Sequence, residues 1–271
     1  MTNERYRLQA VALTDPGLVR ALNEDAVAVD AEHAFALVAD GMGGHNAGDL
    51  ASRLTKETLC ERLPVKIEHF RAGARQPRPH QFAEQLIQEA NRAIYDTAQA
   101  TPSCKGMGTT LALWLMHDDQ AAFLHIGDSR IYRLRQGSLQ QLTRDDSLLL
   151  DQLEAGLISA EEAKDSHNRH FVTRALGHSP RALIHIHEES VAVGDVYLLC
   201  SDGLTDLVDD SDLELILDGL KTNLPLAANH LVQLANDHGG IDNISVVLIR
   251  VLPAEHEKTG LLGRMLSWFG R

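Results

Sequence analysis

The chain has 271 residues, of which 44% are hydrophobic and 23% are charged, and its net charge is −13. This length and composition suit a globular domain with a full hydrophobic core. The acidic balance excludes a nucleic-acid footprint, which needs clustered Lys and Arg. The excess of acids indicates either a cleft that binds cations or a solvated acidic surface.

The three cysteines show neither CxxC nor zinc-site spacing, so the sequence predicts no disulfide framework. The N-terminal stretch lacks the apolar segment of a signal peptide. No apolar run approaches the ~20 residues that span a bilayer. We therefore expect a cytoplasmic protein.

The first part of the chain alternates between strand and helix patterns. Strands are predicted at Tyr6 to Thr14, Ala26 to Val29 and His33 to Asp40, and helices at Gly48 to Leu63 and Gln81 to Ala100. The helices are predicted because apolar residues recur at spacings of three and four. The Pro- and Arg-containing segment 71–80 is predicted to be a loop.

From Gly108 onward the pattern is typical of an antiparallel meander. Strands are predicted at Thr109 to Met116, Ala121 to Ile126, Ile131 to Leu134, Leu139 to Leu142, Ile184 to Ser190, Val196 to Ser201 and Ile244 to Leu252, and helices at Ser211 to Leu220 and Pro225 to Asp237. Residues from about 144 to 183 are charged and contain two short helical patterns, at Ser147 to Ala155 and Ser159 to Lys164. We expect this segment to be an insertion that lies on the sheet and moves relative to the core.

Four acids stand at the ends of predicted strands. Asp40, Asp128 and Asp202 each follow an apolar run, and Asp242 precedes one. Each acid alone fits an ordinary turn. If the strand ends converge, the carboxylates must share protons or bind cations, and all-oxygen ligation favours Mg²⁺ or Mn²⁺. Two such ions could share a bridging carboxylate and a bridging hydroxide for in-line attack on phosphorus. On these residues alone, a set of solvated turns remains the alternative.

Other hydrolytic and phosphate-binding signatures are missing from the sequence. There is no GxxxxGK[ST] loop, no GxSxG elbow and no Cys followed six positions later by Arg. A metal-bound hydroxide is therefore the nucleophile that remains for a hydrolytic reaction.

Six short motifs occur in the order found in one known family. They are Arg20-x-x-Asn23-Glu24-Asp25, Ala39-Asp40-Gly41-Met42-Gly43-Gly44, Gly108-Thr109-Thr110, Gly127-Asp128-Ser129-Arg130, Ser201-Asp202-Gly203-Leu204 and Asp242-Asn243-Ile244-Ser245. With these motifs, which span residues from about 5 to 252, the chain resembles the metal-dependent protein phosphatases of type 2C (PPM) in their compact bacterial-like form. Each motif alone is weak, but the ordered set is specific.

The resemblance implies an α+β fold, namely a β-sandwich of two antiparallel sheets flanked by pairs of α-helices. It implies a phosphatase domain over residues 1–254, in which residues from about 144 to 183 form the flap that shapes substrate access. Residues 255–271 lie beyond the match and form an amphipathic C-terminal tail.

The resemblance also implies a role for each site residue. Asp40 would bridge two Mn²⁺ or Mg²⁺ ions, and the Gly41 carbonyl would complete the first site. Glu24 and Asp25 would hold metal-bound water, and Asp202 and Asp242 would hold the second metal. Asp128, with Asp202, resembles the pair that binds a third metal. Arg20 would bind the substrate phosphate, because a planar, permanently charged guanidinium matches phosphate geometry.

Two positions depart from the family pattern. Met42 stands where many eukaryotic members have a His that is proposed as the general acid, and Met cannot donate a proton. The proton would then come from metal-bound water or from His45, which with Asn243 is a further candidate site residue. Asp146 stands where relatives often have His.

The expected activity is hydrolysis of phosphoserine and phosphothreonine in proteins by a metal-bridging hydroxide. The expected substrate is a Ser/Thr kinase or one of its targets in a signalling process, and the expected state is a monomer. The alternative is a catalytically silent family member that binds phosphoproteins as a regulator.

The tail, residues 257–271, has an amphipathic helical pattern. Its apolar residues Leu261, Leu262, Met265, Leu266, Trp268 and Phe269 fall on one helical face, with Lys258, Arg264 and Arg271 around it. Such a segment could dock on a membrane or a partner, or pack against its own domain.

Overall fold

Two five-stranded antiparallel sheets form the centre of the protein. The structure is a computed structural model that describes residues 5–43, 47–73, 78–159, 162 and 171–254. The first sheet contains β1 (Tyr6–Asp15), β8 (Arg130–Arg135), β9 (Ser138–Gln141), β11 (Val196–Cys200) and β12 (Ile244–Pro253), in the spatial order β1-β12-β11-β8-β9. The second sheet contains β2 (Ala26–Asp30), β3 (Phe35–Ala39), β6 (Leu111–His117), β7 (Gln120–Ile126) and β10 (His185–Ser190), in the order β10-β7-β6-β3-β2.

The inner faces of the two sheets pack against each other. Trp114 and Phe123 of one sheet and Tyr197 of the other are fully buried in this layer, and the Trp114 and Tyr197 rings lie 5.4 Å apart. Because side chains alternate between the two faces of a strand, Leu113 and Leu124 face outward from the second sheet, into a separate apolar cluster beneath helices.

Helices cover the outer face of each sheet. On the second sheet lie α1 (Ala47–Arg71) and α2 (Pro79–Ala100). On the first sheet lie α5 (Asp210–Leu220) and α6 (Leu224–Asp237). The remaining elements are the strand pair β4 (Gly41–Met42) and β5 (Gly108–Thr109), a 3₁₀ turn (Pro102–Cys104), α3 (Leu148–Glu154) and α4 (Asp202–Thr205). The predicted α+β sandwich flanked by helix pairs is therefore confirmed.

Helix α1 is longer than the sequence predicts. It continues past Leu63, through Pro64, to Arg71. Proline removes one backbone hydrogen bond, but Leu59, Leu63 and Ile67 keep a spacing of four and stay buried against the sheet, so packing outweighs the loss. At the other end of the predicted loop, α2 begins at Pro79, a residue that fits the first helical turn because its missing N–H would have no partner there.

The predicted strand from Thr109 to Met116 was wrong in one respect, because it is two strands. Residues 108–109 pair with β4, and the chain then turns at Thr110 into β6. The predicted turn acid Asp202 instead begins the short helix α4. Other element ends differ from the predicted ones by one or two residues.

Part of the predicted flap lies within the described residues. Its first helical pattern forms α3, which Ser147 caps by accepting a hydrogen bond from the Leu150 N–H at 3.3 Å. The second pattern falls mostly outside the described residues, as does the tail. The motion of the flap and the boundary of the tail stay predictions. Among the described residues, no helix is long and apolar enough to cross a membrane.

Candidate active site

The ends of four strands bring the predicted acids together. β3 and β11 end directly before this region, β12 begins there, and Asp128 follows β7 by two residues. They surround one cavity of about 610 Å³. The predicted site residues that line it are Arg20, Glu24, Asp40, Gly41, Asp128, Asp202, Asp242 and Asn243. Asp25 is buried close enough for its charge to act on Asp40, whereas His45 lies outside the described residues.

The backbone of Asp40 is fixed by two threonines. Its N–H donates to Thr110 Oγ1 at 3.0 Å, and its carbonyl accepts from the Thr109 hydroxyl at 2.8 Å and from the Thr110 N–H at 2.9 Å. Thr110 Oγ1 in turn lies 2.7 Å from Ser129 Oγ, beside Asp128. These contacts link the two acids, which follow β3 and β7 on either side of β6.

Gly41 is held between a helix and a loop. A Cβ atom at this position would lie 2.3 Å from the carbonyl oxygen of Gly48 and 2.5 Å from that of Glu24. Any side chain would therefore displace either the start of α1 or the loop that carries Glu24. The close approach requires glycine here, and it leaves the Gly41 backbone at the cavity wall.

Three buried carboxyl groups of the site resist ionisation in each other's presence. Burial, together with the charges of Asp202 and Asp242 and against hydrogen bonds from Ser245 and Ser201, raises the pKa of Asp25 to about 7. Burial and the neighbouring Asp25, Asp202 and Asp128 raise the pKa of Asp40 well above its ordinary value. The effect of Asp202 on Asp40 combines its charge with hydrogen bonding between the two carboxyl groups, and both favour a protonated Asp40.

The pKa of Asp128 is also raised well above its ordinary value. Burial is the largest cause that raises its pKa, followed by the charges of Asp202, Asp145 and Asp206. Asp206 lines the cavity one helical turn after Asp202, and its N–H donates to the Asp202 carbonyl at 2.8 Å. The cavity therefore collects more negative charge than its walls can neutralise, which favours a bound cation.

Asn243 organises the loop that carries Glu24. Its side-chain amide donates to the carbonyls of Pro16 and Leu22 at 3.0 and 2.9 Å, and its Oδ1 accepts from the Glu24 N–H at 2.8 Å. All three polar bonds run to the loop between β1 and β2. Asn243 therefore positions a candidate metal ligand.

Arg20 lies at the mouth of the cavity. Its Nη2 donates to Asp242 Oδ2 at 2.6 Å, and its side chain is about half exposed. This hydrogen bond is the largest cause that raises the pKa of Arg20, so the group stays charged. It places a permanent cation beside a candidate metal ligand and within reach of a ligand in the cavity.

Asp146 connects residues 171–174 to the site. This fully buried carboxylate accepts from the Gly127 N–H at 3.1 Å and from Arg174 at 2.8 Å, and it lies 3.0 Å from His185 Nε2. Gly127 precedes Asp128, and Arg174 follows Phe171 and Val172, which line the cavity. Asp146, where relatives often have His, therefore has a structural role in this chain.

The residues of the cavity fit a hard cation. The buried oxygens Glu24 Oε1 and Asp25 Oδ1 have no hydrogen-bond partner within the described part of the chain. A carboxylate-only donor set suits Mn²⁺ or Mg²⁺. In the described residues no three His, Cys, Asp or Glu side chains are close enough together to hold a metal ion as they stand, and Asp242 is paired with Arg20.

Sequence reasoning missed several residues of the site. Ser201 donates to Asp25 Oδ2 at 2.8 Å, and Asp206, Phe171 and Val172 line the cavity. For Asp206 a signal was available in the sequence, because residues four apart on a helix lie on the same face and Asp206 follows Asp202 by four. The contact between Ser201 and Asp25 joins residues 176 positions apart, and no local pattern indicates it.

Comparison with known proteins assigns the fold and its acidic cavity to one family. The protein phosphatase 2C family profile matches residues 19–230. The chain belongs to this family, and the resemblance noted in its motifs is confirmed.

Individual relatives agree with this assignment. The chain is 37% identical over 254 residues to the serine/threonine protein phosphatase PstP of Mycobacterium tuberculosis, covering 93% of this chain and 46% of that protein. It is 35% identical over 239 residues to the serine/threonine phosphatase stp of Listeria innocua, covering 87% of this chain and 93% of that one. The chain thus spans about half the length of the first relative and nearly all of the second.

A solved structure of a relative has the same fold and contains metal ions. The catalytic domain of PstP in complex with two manganese ions superposes with a TM-score of 0.77 at 36% identity, over 91% of this chain and 99% of that domain. The prediction that the cofactor is Mn²⁺ or Mg²⁺ is supported by this relative.

Proposed function

We propose that this chain hydrolyses phosphoserine and phosphothreonine in phosphoproteins, using Mn²⁺ or Mg²⁺. One observation carries the proposal. Asp40, Asp128 and Asp202 come from separate strand ends to one cavity, and Asp40 and Asp128 have raised pKa values. Buried acids crowded together cost stability unless a cation compensates them, so their convergence is the mark of a metal site.

The proposed residue roles are those that the family resemblance implies, and the cavity brings most of these residues together. Asp40 would help to hold two ions, the first of them with the Gly41 carbonyl, Glu24 and Asp25. Asp202 and Asp242 would hold the second ion, and Asp128 with Asp202 a third. When bound, the ions supply an activated nucleophile and neutralise charge on the phosphoryl oxygens.

Arg20 binds and orients the substrate phosphate. It lies at the cavity mouth, and its contact with Asp242 holds the guanidinium over the acids. A bidentate contact between arginine and phosphate is strong and directional. Arg20 also offsets part of the acidic repulsion that an anionic substrate meets on entry.

The flap shapes access to the cavity. Phe171 is 58% exposed although it lines the cavity, so it offers an apolar surface beside the phosphate site. We assign to it the contact with the residues that flank the phosphorylated side chain. Met42 lines the same cavity and has no proton to donate, so proton donation to the leaving alkoxide falls to solvent in the site or to His45.

A role in cytoplasmic signalling on a Ser/Thr kinase or its targets, by a monomeric enzyme, completes the proposal. Its support is the family itself and three free cysteines, Cys60, Cys104 and Cys200, which suit a reducing compartment.

Hydrolysis of a phosphothreonine peptide with and without Mn²⁺ tests the proposal. We expect metal-dependent turnover that Asp40→Asn abolishes, and little turnover of a matched phosphotyrosine peptide. Asp195→Asn is the control, because Asp195 is a buried acid that lies outside the cavity. Binding of the peptide without turnover would instead indicate the silent phosphoprotein-binding regulator.

A further inference from the structure

A second cavity, of about 370 Å³, lies at the opposite end of the sandwich from the acids. Strand β7 runs from this cavity at Gln120 to the acidic site beyond Ile126, and β12 runs in the reverse sense, from Ile244 to Pro253. Because a strand rises about 3.3 Å per residue, roughly 20 Å of sheet separates the two cavities. The second cavity therefore has no part in the proposed phosphatase chemistry.

This second cavity has an apolar floor and an acidic rim. Phe70, Leu115 and Ala122 form the floor, and the Phe70 ring meets the edge of His117 at 4.7 Å between centroids. The rim carries Asp118, Asp119 and Glu188, whose side chains are 78%, 51% and 38% exposed, against one arginine, Arg78. Glu188 lies 2.8 Å from His80, which also lines the cavity. An apolar recess with exposed acids around it suits an apolar side chain that is accompanied by cations.

The chain leaves the sandwich beside this cavity. At the end of β12 the Ala254 N–H donates to the Arg5 carbonyl at 3.0 Å. Arg5 Nη1 lies 3.9 Å from Asp119 Oδ2, on the cavity rim. The residues after Ala254 therefore start next to the recess.

The composition of the following residues complements the recess. From residue 258 onward the chain has Lys258, Arg264 and Arg271 but no acidic side chain, and it includes Trp268 and Phe269. The 13 residues between Ala254 and Trp268 can span at most about 45 Å, which far exceeds the distance needed to reach the cavity. The charge, the apolar residues and the length of this segment are therefore all compatible with binding in the recess.

We propose that the C-terminal segment binds in this cavity of its own chain, with Trp268 against the floor of Phe70, Leu115 and Ala122. The basic residues of the segment then lie near the acidic rim. A recess of this size holds one large aromatic side chain, and an aromatic anchor in a pocket is the usual centre of such a contact. The contact covers the far end of the sandwich and leaves the acidic cavity open.

Tryptophan fluorescence of the intact chain tests this inference. The sequence has two tryptophans, and Trp114 is fully buried in the sandwich. Subtracting the spectrum of Trp268→Phe isolates the emission of Trp268. We expect Trp268 emission to be blue-shifted and its acrylamide quenching to be about tenfold weaker than that of a free indole, which corresponds to about 1.4 kcal/mol of docking.

Charge reversal at the rim gives the matched comparison. Glu188→Lys should shift Trp268 emission to the red and restore its quenching, whereas Glu57→Lys, the same change at an exposed site on α1, should not. Melting curves of both variants establish that they fold. Equal spectra for the two variants would overturn the inference.

Three other outcomes would also overturn it. Trp268 as exposed as a free indole in the wild type would show that the segment does not dock. Burial that grows with protein concentration would assign the segment to a second copy. Burial only after adding vesicles of phosphatidylglycerol and phosphatidylcholine would assign it to a membrane. None of these results depends on phosphatase activity.

Discussion

Two groups of buried carboxylates in this protein have opposite surroundings. Asp195 is 1% exposed, and both its oxygens accept from Arg135 at 2.7 Å, with further bonds from the Ala192 N–H and the Tyr197 hydroxyl. Asp146 is equally buried and is satisfied by Gly127 and Arg174. These acids have the partners that a buried charge requires.

The acids of the candidate active site lack this compensation. The charges that act on Asp25, Asp40 and Asp128 all come from other acids, with Asp202 common to the three, and burial with like charge raises their pKa values. Arg20, the cation that contacts this group, binds Asp242 and is half exposed. A protein keeps such a cluster only where something else compensates it, so the difference separates acids that hold the fold from acids that hold a ligand.

Replacing an acid of the cluster should have the largest effect on activity. We expect Asp40→Asn to lower kcat by roughly 10³-fold, as loss of a central electrostatic group does. The same variant should melt at a higher temperature than the wild type in chelator, because one source of repulsion is gone. Activity near wild type, or a lower melting temperature without metal, would remove Asp40 from the proposed metal pair.

The stability of the metal-free protein should fall as pH rises. An acid whose pKa is raised in the folded state stabilises the fold fully below its unfolded pKa, and this stabilisation is lost as pH passes the folded pKa. For Asp25 the window runs from 3.8 to about 7, which corresponds to up to about 4 kcal/mol. Melting in chelator should therefore drop by roughly 5–10 °C between pH 5 and pH 8.

Saturating Mn²⁺ provides the control for this pH series. With the cations bound, the carboxylates are compensated in their charged form, and the fall in melting temperature should disappear. A metal-free protein that is equally stable at pH 5 and pH 8 would contradict the raised pKa values.

For an acid that is paired with a cation, we expect a loss of stability and little change in activity. Asp195→Asn leaves the guanidinium of Arg135, whose side chain is 30% exposed, without its counterion, and should cost about 2–3 kcal/mol of unfolding free energy. Activity of the folded fraction should stay within about twofold of the wild type, as for changes distant from a site. A large loss of kcat with unchanged stability would contradict the distinction between acids that hold the fold and acids that hold a ligand.

A smaller effect is expected for the residue that positions Glu24. Asn243→Ala removes three hydrogen bonds to the loop between β1 and β2. Loss of a group that orients a metal ligand typically costs 10–100-fold, or about 1.4–2.7 kcal/mol. We expect this loss in the apparent affinity for Mn²⁺, measured from activity against metal concentration. Asn229→Ala, which removes one exposed hydrogen bond to the Pro225 carbonyl within α6, is the comparison and should leave the affinity unchanged.

The sequence predicts the active-site acids better than the acids that hold the fold. Asp40, Asp128, Asp202 and Asp242 follow or precede apolar runs, and this local signal is visible without coordinates. The pairs between Asp195 and Arg135 and between Asp146 and Arg174 join residues far apart in the chain. Such pairs depend on sheet order and flap position, which no local pattern encodes.

The same reasoning explains the errors in the secondary structure. Pro64 is a local signal for a helix end, but the burial of Leu63 and Ile67 against the second sheet overrides it. The chain turns at Thr110 because residues 108–109 pair with β4, whereas the residues of β6 pair with β3 and β7. Tertiary packing decides both cases.

The central claim is that the clustered acids exchange shared protons for metal ions. Titration of the metal-free protein with Mn²⁺ near pH 6, by calorimetry in two buffers of different ionisation enthalpy, measures binding and proton release together. Because Asp25 titrates at about 7 and the pKa of Asp40 is raised, binding should release at least about one proton per protein. Absence of binding, or binding without proton release, would contradict the claim.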